Sequence, residues 1–142
     1  MKHYLLDTNV LLDLFLNRSP WAADAAVIWD AHRQGLIRVS VAAFSVPTIF
    51  YIVRKQSSLT AARTAVNACL TTLDIESTNR ATLIVAQTFT GVDFEDELQI
   101  ATAMQASVDA IITRDPKGFA ASPIPAVTPV DVVATLPAPP TP

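Results

Sequence analysis

Residues 4–16 read Tyr4-Leu5-Leu6-Asp7-Thr8-Asn9-Val10-Leu11-Leu12-Asp13-Leu14-Phe15-Leu16. Three apolar residues, a polar triplet and a second apolar run make a short buried strand that turns at once into a helix. Thr8 or Asn9 is the expected N-cap, because a short polar side chain there accepts from the first free backbone N–H groups. The same alternation continues down the chain. Ser19-Pro20 has the form of a cap with Pro at the first helical position, opening a helix over 21–34 that Gly35 stops. Residues 36–40 read as a strand and 43–56 as a mostly apolar helix with Pro47 near its start. A helix over 58–73 follows, capped by Ser57 or Ser58, and then an edge strand over 74–76. Residues 78–90 read as an amphipathic helix with Leu83, Val85 and Ala86 inward, and 94–106 as another helix. The β-branched run 110–113 is a further strand, 123–127 a last short edge, and 129–136 a closing helix.

Strands alternating with helices predict a three-layer α/β/α sandwich around a short, mostly parallel sheet. The 142 residues suit one domain, expected over 1–136, with a Pro-rich tail at 137–142. Apolar residues make up 51% and charged residues 16%, against about 25% charged in a typical soluble domain, which excludes wholesale disorder. The longest stretch without a charge, 39–53, contains Pro47 and falls short of the ~18 residues that cross a bilayer. Met1-Lys2-His3 leads into only three apolar residues before Asp7, so no signal peptide is expected. A lone cysteine, Cys69, cannot form an internal disulfide, and a reducing cytoplasm is the expected compartment. The 10 basic against 13 acidic residues leave a charge of −3, so any nucleic-acid contact has to come from local cations or a metal ion.

In parallel sheets, sites form beyond the carboxyl ends of the strands. Asp7 follows the first strand and Asp115 follows 110–113 closely. Asp93 and Asp96 stand three apart at a helix start and share a face, while Glu95 points elsewhere. If the first strand neighbours 110–113, Asp7 and Asp115 meet, and two carboxylates about 4 Å apart repel by roughly 4 kcal/mol at an effective dielectric near 20. Such a cluster either takes up protons or holds a hard cation such as Mg²⁺ or Mn²⁺. His3, His32 and Cys69 lack partners at zinc-ligand spacing. Each acid also has a plainer use. Asp7-Thr8-Asn9 can cap a helix for about 1 kcal/mol, the acids at 93–97 can face a helix dipole, and Asp115-Pro116 can form a turn.

These residues resemble a known family. Leu5-Leu6-Asp7-Thr8-Asn9-Val10-Leu11-Leu12-Asp13, then Asp93-Phe94-Glu95-Asp96-Glu97-Leu98-Gln99-Ile100-Ala101-Thr102-Ala103, then Ile111-Ile112-Thr113-Arg114-Asp115-Pro116-Lys117-Gly118-Phe119 resemble the first, third and fourth motifs of PIN-domain nucleases. The group is that of the VapC-type toxins of bacterial toxin–antitoxin pairs. The resemblance implies a Mg²⁺- or Mn²⁺-dependent endoribonuclease. Its acids would be Asp7, Asp96 and Asp115, with Asp93 as a further ligand or supporting partner, and Asn9 and Thr113 would orient acids or water. It also implies a homodimer and a small antitoxin that inserts near the acids. The second motif departs from the family: Thr48 stands where a Glu is usual.

Among the cations, Arg114 and Lys117 flank Asp115 and are expected at RNA phosphates, with Arg54 as a further contact, whereas Arg63 and Arg80 read as solvated surface. Trp21, Trp29, Phe50 and Tyr51 are candidate partner contacts, with Trp29 and Phe50 also readable as core. Three other functions compete. A receiver-like phospho-acceptor needs an acidic pair after the first strand, where Thr8 and Asn9 follow Asp7. An inactive PIN-like binding module is favoured by Thr48. A haloacid-type phosphatase wants a second Asp two residues after the first, where Asn9 stands.

Overall fold

The computed structural model describes residues 1–138; the last four residues of the expected Pro-rich tail, 139–142, lie outside the described residues. Five strands, β1 (His3–Leu6), β2 (Arg38–Ala42), β3 (Asp74–Glu76), β4 (Ala110–Ile112) and β5 (Ala126–Val127), form one sheet in the order β3-β2-β1-β4-β5. Every pairing is parallel. Helices α1 (Thr8–Phe15), α2 (Ala22–Arg33), α3 (Ser45–Gln56), α4 (Leu59–Thr72), α5 (Arg80–Gln87), α6 (Phe94–Ala106) and α7 (Pro129–Thr135) connect or close them.

The period-two alternation of strand side chains separates two apolar layers. Tyr4, Leu6, Val39, Val41 and Ile112 face one side, where they pack with Leu11, Ile28, Ile49, Ala62, Cys69 and Val132 from α1, α2, α3, α4 and α7. Leu5 and Ile111 face the other side and pack with Ile100 and Ala103 of α6 and with Phe119. The sheet is therefore covered on both faces, as the three-layer reading expects.

Chain direction across the sheet reverses at β1. β2 and β3 extend one flank, whereas β4 and β5 extend the other. Leu5 sits opposite Ser40 on one side and Ile111 on the other. The carboxyl ends of β1 and β4 therefore border the crevice that opens where strand order switches.

Several elements differ from the sequence expectation. β2 starts at Arg38, two residues later, because its register is set by pairing with β1, His3 opposite Arg38. Gly35, at φ +75°, takes the left-handed turn that ends α2. Ser19 and Pro20 do not cap α2: Trp21 precedes it, and the entry is held by Ala22 N donating to Arg18 O at 2.8 Å. Leu83 points to solvent at 45% exposed rather than inward. α5 packs chiefly on α6, so only the narrow stripe of Thr82 and Ala86, four residues apart, is buried.

Candidate functional site

Asp7 closes β1. Its backbone N–H donates to Ile112 O at 2.9 Å, so sheet pairing with β4 runs up to the acid itself. The backbone there is extended (φ −63°, ψ 144°) and α1 begins at the next residue, but the Asp7 side chain makes no capping bond. Instead Asp7 Oδ2 accepts from the Thr113 hydroxyl at 2.9 Å, and the Thr113 oxygen in turn accepts from Asp115 N at 3.1 Å. Thr113 is buried and follows β4 directly. One hydroxyl thus ties the acid after β1 to the backbone of the acid after β4. Asp115 likewise makes no side-chain cap to the 3₁₀ turn that follows it, Pro116–Phe119. The plainer capping use holds for Asp93 alone: its Oδ1 accepts from Asp96 N at 3.1 Å and starts α6.

A pocket of about 140 Å³ opens at this edge. Asp7, Thr8, Asn9 and Leu12 form one wall, Thr48 and Ile52 of α3 a second, and Asp93, Glu95, Asp96 and Gln99 of α6 a third. Glu95, expected to point elsewhere, lines the pocket. It sits in the first turn of α6, where side chains lean back past the helix start. Asp115 lies beside the pocket, next to Asp96. A Cβ added at Gly118 would sit 3.0 Å from Asp96 Oδ2 and 3.5 Å from Asp115 Oδ2, so the bare glycine leaves the space these two oxygens share.

The base of the pocket is a buried polar tie. Gln99 Nε2 donates to Thr8 Oγ1 at 3.2 Å and to Ser45 Oγ at 3.1 Å, and the two hydroxyls are 2.8 Å apart. This fastens α1, α3 and α6 to one another under the acids. Gln99, Ser45 and Glu95 were missed at the sequence level. Gln99 alone carried a signal there, an amide between Leu98 and Ile100 in an apolar stretch.

The charges are in conflict. Partial burial first, then the neighbouring Asp93, Asp7, Asp115 and Glu95, push the Asp96 carboxyl up to about 6. Burial also raises Asp7, opposed by its bonds to Thr113 and Thr8, raised further by Asp93 and lowered by the more distant charge of Arg114. Asp7 and Asp96 therefore hold their protons more tightly than free carboxylates.

The expected RNA contacts fall differently. Arg114 turns inward: its Nε lies 2.8 Å from Oδ2 of the buried Asp13, and its guanidinium carbon lies 4.0 Å from the centre of the Trp21 ring. Lys117 is exposed on the turn after Asp115. Arg54 is exposed but sits off the pocket side of α3; at about 100° per residue it is Lys55 that continues the stripe of Thr48 and Ile52. Asn9 is exposed and lines the pocket. Trp21 and Tyr51 are exposed, whereas Trp29 is half-buried against Phe15, with ring centres 5.8 Å apart, and Phe50 stacks edge-on against Tyr51.

Among the described residues no group of three or more Asp, Glu, His or Cys side chains is placed to hold a metal ion. The donor chemistry nevertheless fits a hard divalent cation. The lining acids offer only oxygen, no cation among the described residues offsets the acidic neighbours of Asp96, and Arg114, whose charge eases Asp7, is engaged by Asp13.

The PIN-domain family profile matches residues 3–117. No curated protein matches the sequence. Among solved structures, DNA-bound VapBC from Salmonella typhimurium is similar at a TM-score of 0.71 and 14% identity, over 91% of this chain and 99% of that one. A sarcin–ricin-loop-cleaving VapC toxin of Mycobacterium tuberculosis is similar at 0.69 and 14%, over 83% and 94%. A toxin–antitoxin complex from Klebsiella pneumoniae is similar at 0.66 and 23%, over 89% and 97%. At these identities the likeness is one of fold.

Proposed function

The chain belongs to the PIN-domain family, and from that premise we propose that it is a Mg²⁺- or Mn²⁺-dependent endoribonuclease, the toxin of a type II toxin–antitoxin pair. One observation carries this reading: Asp7 and Asp96, which lie 89 residues apart in sequence, line a single pocket where burial first, and then the neighbouring acids, push Asp96 up to about 6. A structural role gives no reason to gather acids there at a cost in stability.

In this reading Asp7, Asp93, Asp96 and Asp115 hold the ion, and Asn9 and Thr113 orient them. Bound there, Mg²⁺ or Mn²⁺ would supply an acidified water near neutral pH and offset charge on a phosphodiester. Asp7 is held for that task by the Thr113 hydroxyl on Oδ2. Thr113 also fixes the backbone of Asp115. Gln99, Thr8 and Ser45 keep the three walls at fixed spacing, which gives the acids their pre-organisation. Lys117, and Lys55 in place of Arg54, supply cations for the RNA backbone. Residues 1–136 act as one domain, in the cytoplasm, as a homodimer that an antitoxin silences. The antitoxin assignment is supported by neighbours solved as toxin–antitoxin complexes. Among the described residues no helix is long and apolar enough to cross a membrane.

Asp7→Asn tests the reading. It should abolish Mn²⁺-dependent cleavage of RNA and growth arrest while leaving the melting temperature without metal at or above the parent's. A variant as toxic as the parent refutes the site. A second reading, an inactive PIN module, is favoured by Thr48, which lines the pocket with a hydroxyl only. Melting in EDTA and then in Mn²⁺ separates the two. An ion at 100 times its dissociation constant adds about 2.7 kcal/mol, and the absence of any shift supports the inactive module.

A further inference from the structure

Asp13 is charged, lies on the apolar side of α1 among Val10, Leu11 and Leu12, and is 1% exposed. Burial raises its carboxyl, and Arg114 and then Arg18 pull it back. Arg18 stands at 3.7 Å and Arg114 at 2.8 Å. A carboxylate in this position is expensive unless it is paired, so its purpose is to be sought in the partner it holds.

That partner sits in a telling place. Arg114 lies between Thr113, which bonds Asp7, and Asp115, and its charge is felt at Asp7. Asp7, whose carboxyl already feels the Arg114 charge, lines the pocket with Asp93, Glu95 and Asp96, and a free guanidinium would be drawn toward these carboxylates. Two contacts oppose this. Asp13 Oδ2 lies 2.8 Å from Nε, an ion pair held by charge without hydrogen-bond alignment, and the Trp21 ring covers the guanidinium face at 4.0 Å.

We infer that Asp13, with Trp21, is a positioning residue that holds Arg114 back from the acid pocket, so that the acids remain available to a divalent cation. This rests on the nuclease reading above. An ion pair with a stabilising role alone would affect folding and leave the pocket's affinity for metal unchanged. A restraint on Arg114 affects that affinity, and removing Arg114 as well restores it.

The experiment uses the full chain stripped with EDTA and titrated with Mn²⁺ alone, read by calorimetric affinity and by the Mn²⁺-induced shift in melting temperature. Asp13→Asn should weaken Mn²⁺ binding about tenfold or more, the effect of bringing one positive charge into contact range of the ligands. The double variant Asp13→Asn/Arg114→Met should recover the parent's affinity. Trp21→Leu, at a position 42% exposed and therefore safe for folding, should weaken binding in the same direction by less. Unchanged affinity in Asp13→Asn, or a double variant as weak as the single, overturns the inference. If Asp13→Asn does not fold, Trp21→Leu decides: reduced affinity supports the restraint and unchanged affinity overturns it. Failure of the parent to bind Mn²⁺ at all removes the nuclease reading and this inference together, whereas failure in the variants alone removes only the inference.

Discussion

Asp96→Asn turns the crowding of the pocket into a measurable stability. The native carboxyl titrates at about 6 against an ordinary 3.8. A shift of roughly two units corresponds to about 3 kcal/mol at pH 7, taking about 1.4 kcal/mol per unit. Asp96 is only partly buried, so solvent screening reduces this to about half. The positive end of α6 favours an acid in its first turn by about 0.3–1 kcal/mol, which the substitution forfeits. The net expectation is a variant about 1 kcal/mol more stable than the parent in EDTA at pH 7, or roughly 3 °C in melting temperature for a chain of this size. The sign of the pH dependence is fixed by linkage. Because the native carboxyl keeps its proton above 3.8, Asp96 contributes stability that is fully present below 3.8 and lost as pH rises through about 6. The parent should therefore lose stability between pH 4 and pH 6.5 more steeply than the variant, and the two should converge near pH 4. Adding Mn²⁺ at pH 7 should invert the order. Differential scanning fluorimetry across pH, with and without Mn²⁺, reads all of this. A variant that melts below the parent in EDTA at pH 7, or a difference that persists at pH 4, refutes the claim that burial and the neighbouring acids disfavour the Asp96 carboxylate.

Three further outcomes are expected. Thr113→Val removes the bond to Asp7 Oδ2 and leaves Asp115 N without its partner; it should cost about 1–2 kcal/mol in denaturant midpoint and lower kcat about tenfold or more while KM changes little. Thr48→Glu adds a carboxylate to the wall that lacks one, so it should tighten Mn²⁺ binding in calorimetry and lower the melting temperature in EDTA. Binding of single-stranded RNA to the uncleaving Asp7→Asn protein should weaken with salt at a log–log slope near −1.4 if Lys117 and Lys55 both contact phosphates, and Lys117→Ala should reduce that slope by about 0.7.

The strand-then-acid pattern was readable because it is local. Leu5-Leu6-Asp7 and Ile111-Ile112-Thr113 needed only β1 and β4 to be neighbours for Asp7 and Asp115 to share an edge; the sheet order makes those strands neighbours, and the Thr113 hydroxyl links the Asp7 carboxylate to Asp115 N. Asp93 and Asp96 were readable from their spacing on one helix. What escaped was set by packing between elements distant in sequence. Glu95 enters the pocket because of where α6 begins relative to α3, and no periodicity within residues 94–106 reports that. Arg114 looked like an RNA contact because it adjoins Asp115; its direction is decided by Asp13, about a hundred residues earlier, and by Trp21. Leu83 looked inward because its helix is amphipathic, but α5 buries only a narrow stripe.

The departure at Thr48 bears on activity only through the charge that reaches an ion. Coulomb energy depends on distance and on the medium, not on which helix carries the acid. α3 offers the pocket a hydroxyl, and that hydroxyl makes only a long 3.4 Å contact to Phe44 O. Glu95 enters from the α6 wall opposite and is among the charges that raise Asp96. The negative potential of the pocket is therefore kept by a different wall. An inactive remnant would have no use for a charge conflict that costs stability at neutral pH. Loss of one acid on α3 thus leaves the pocket still acidic, with Asp96 pushed up by burial and by its remaining acidic neighbours.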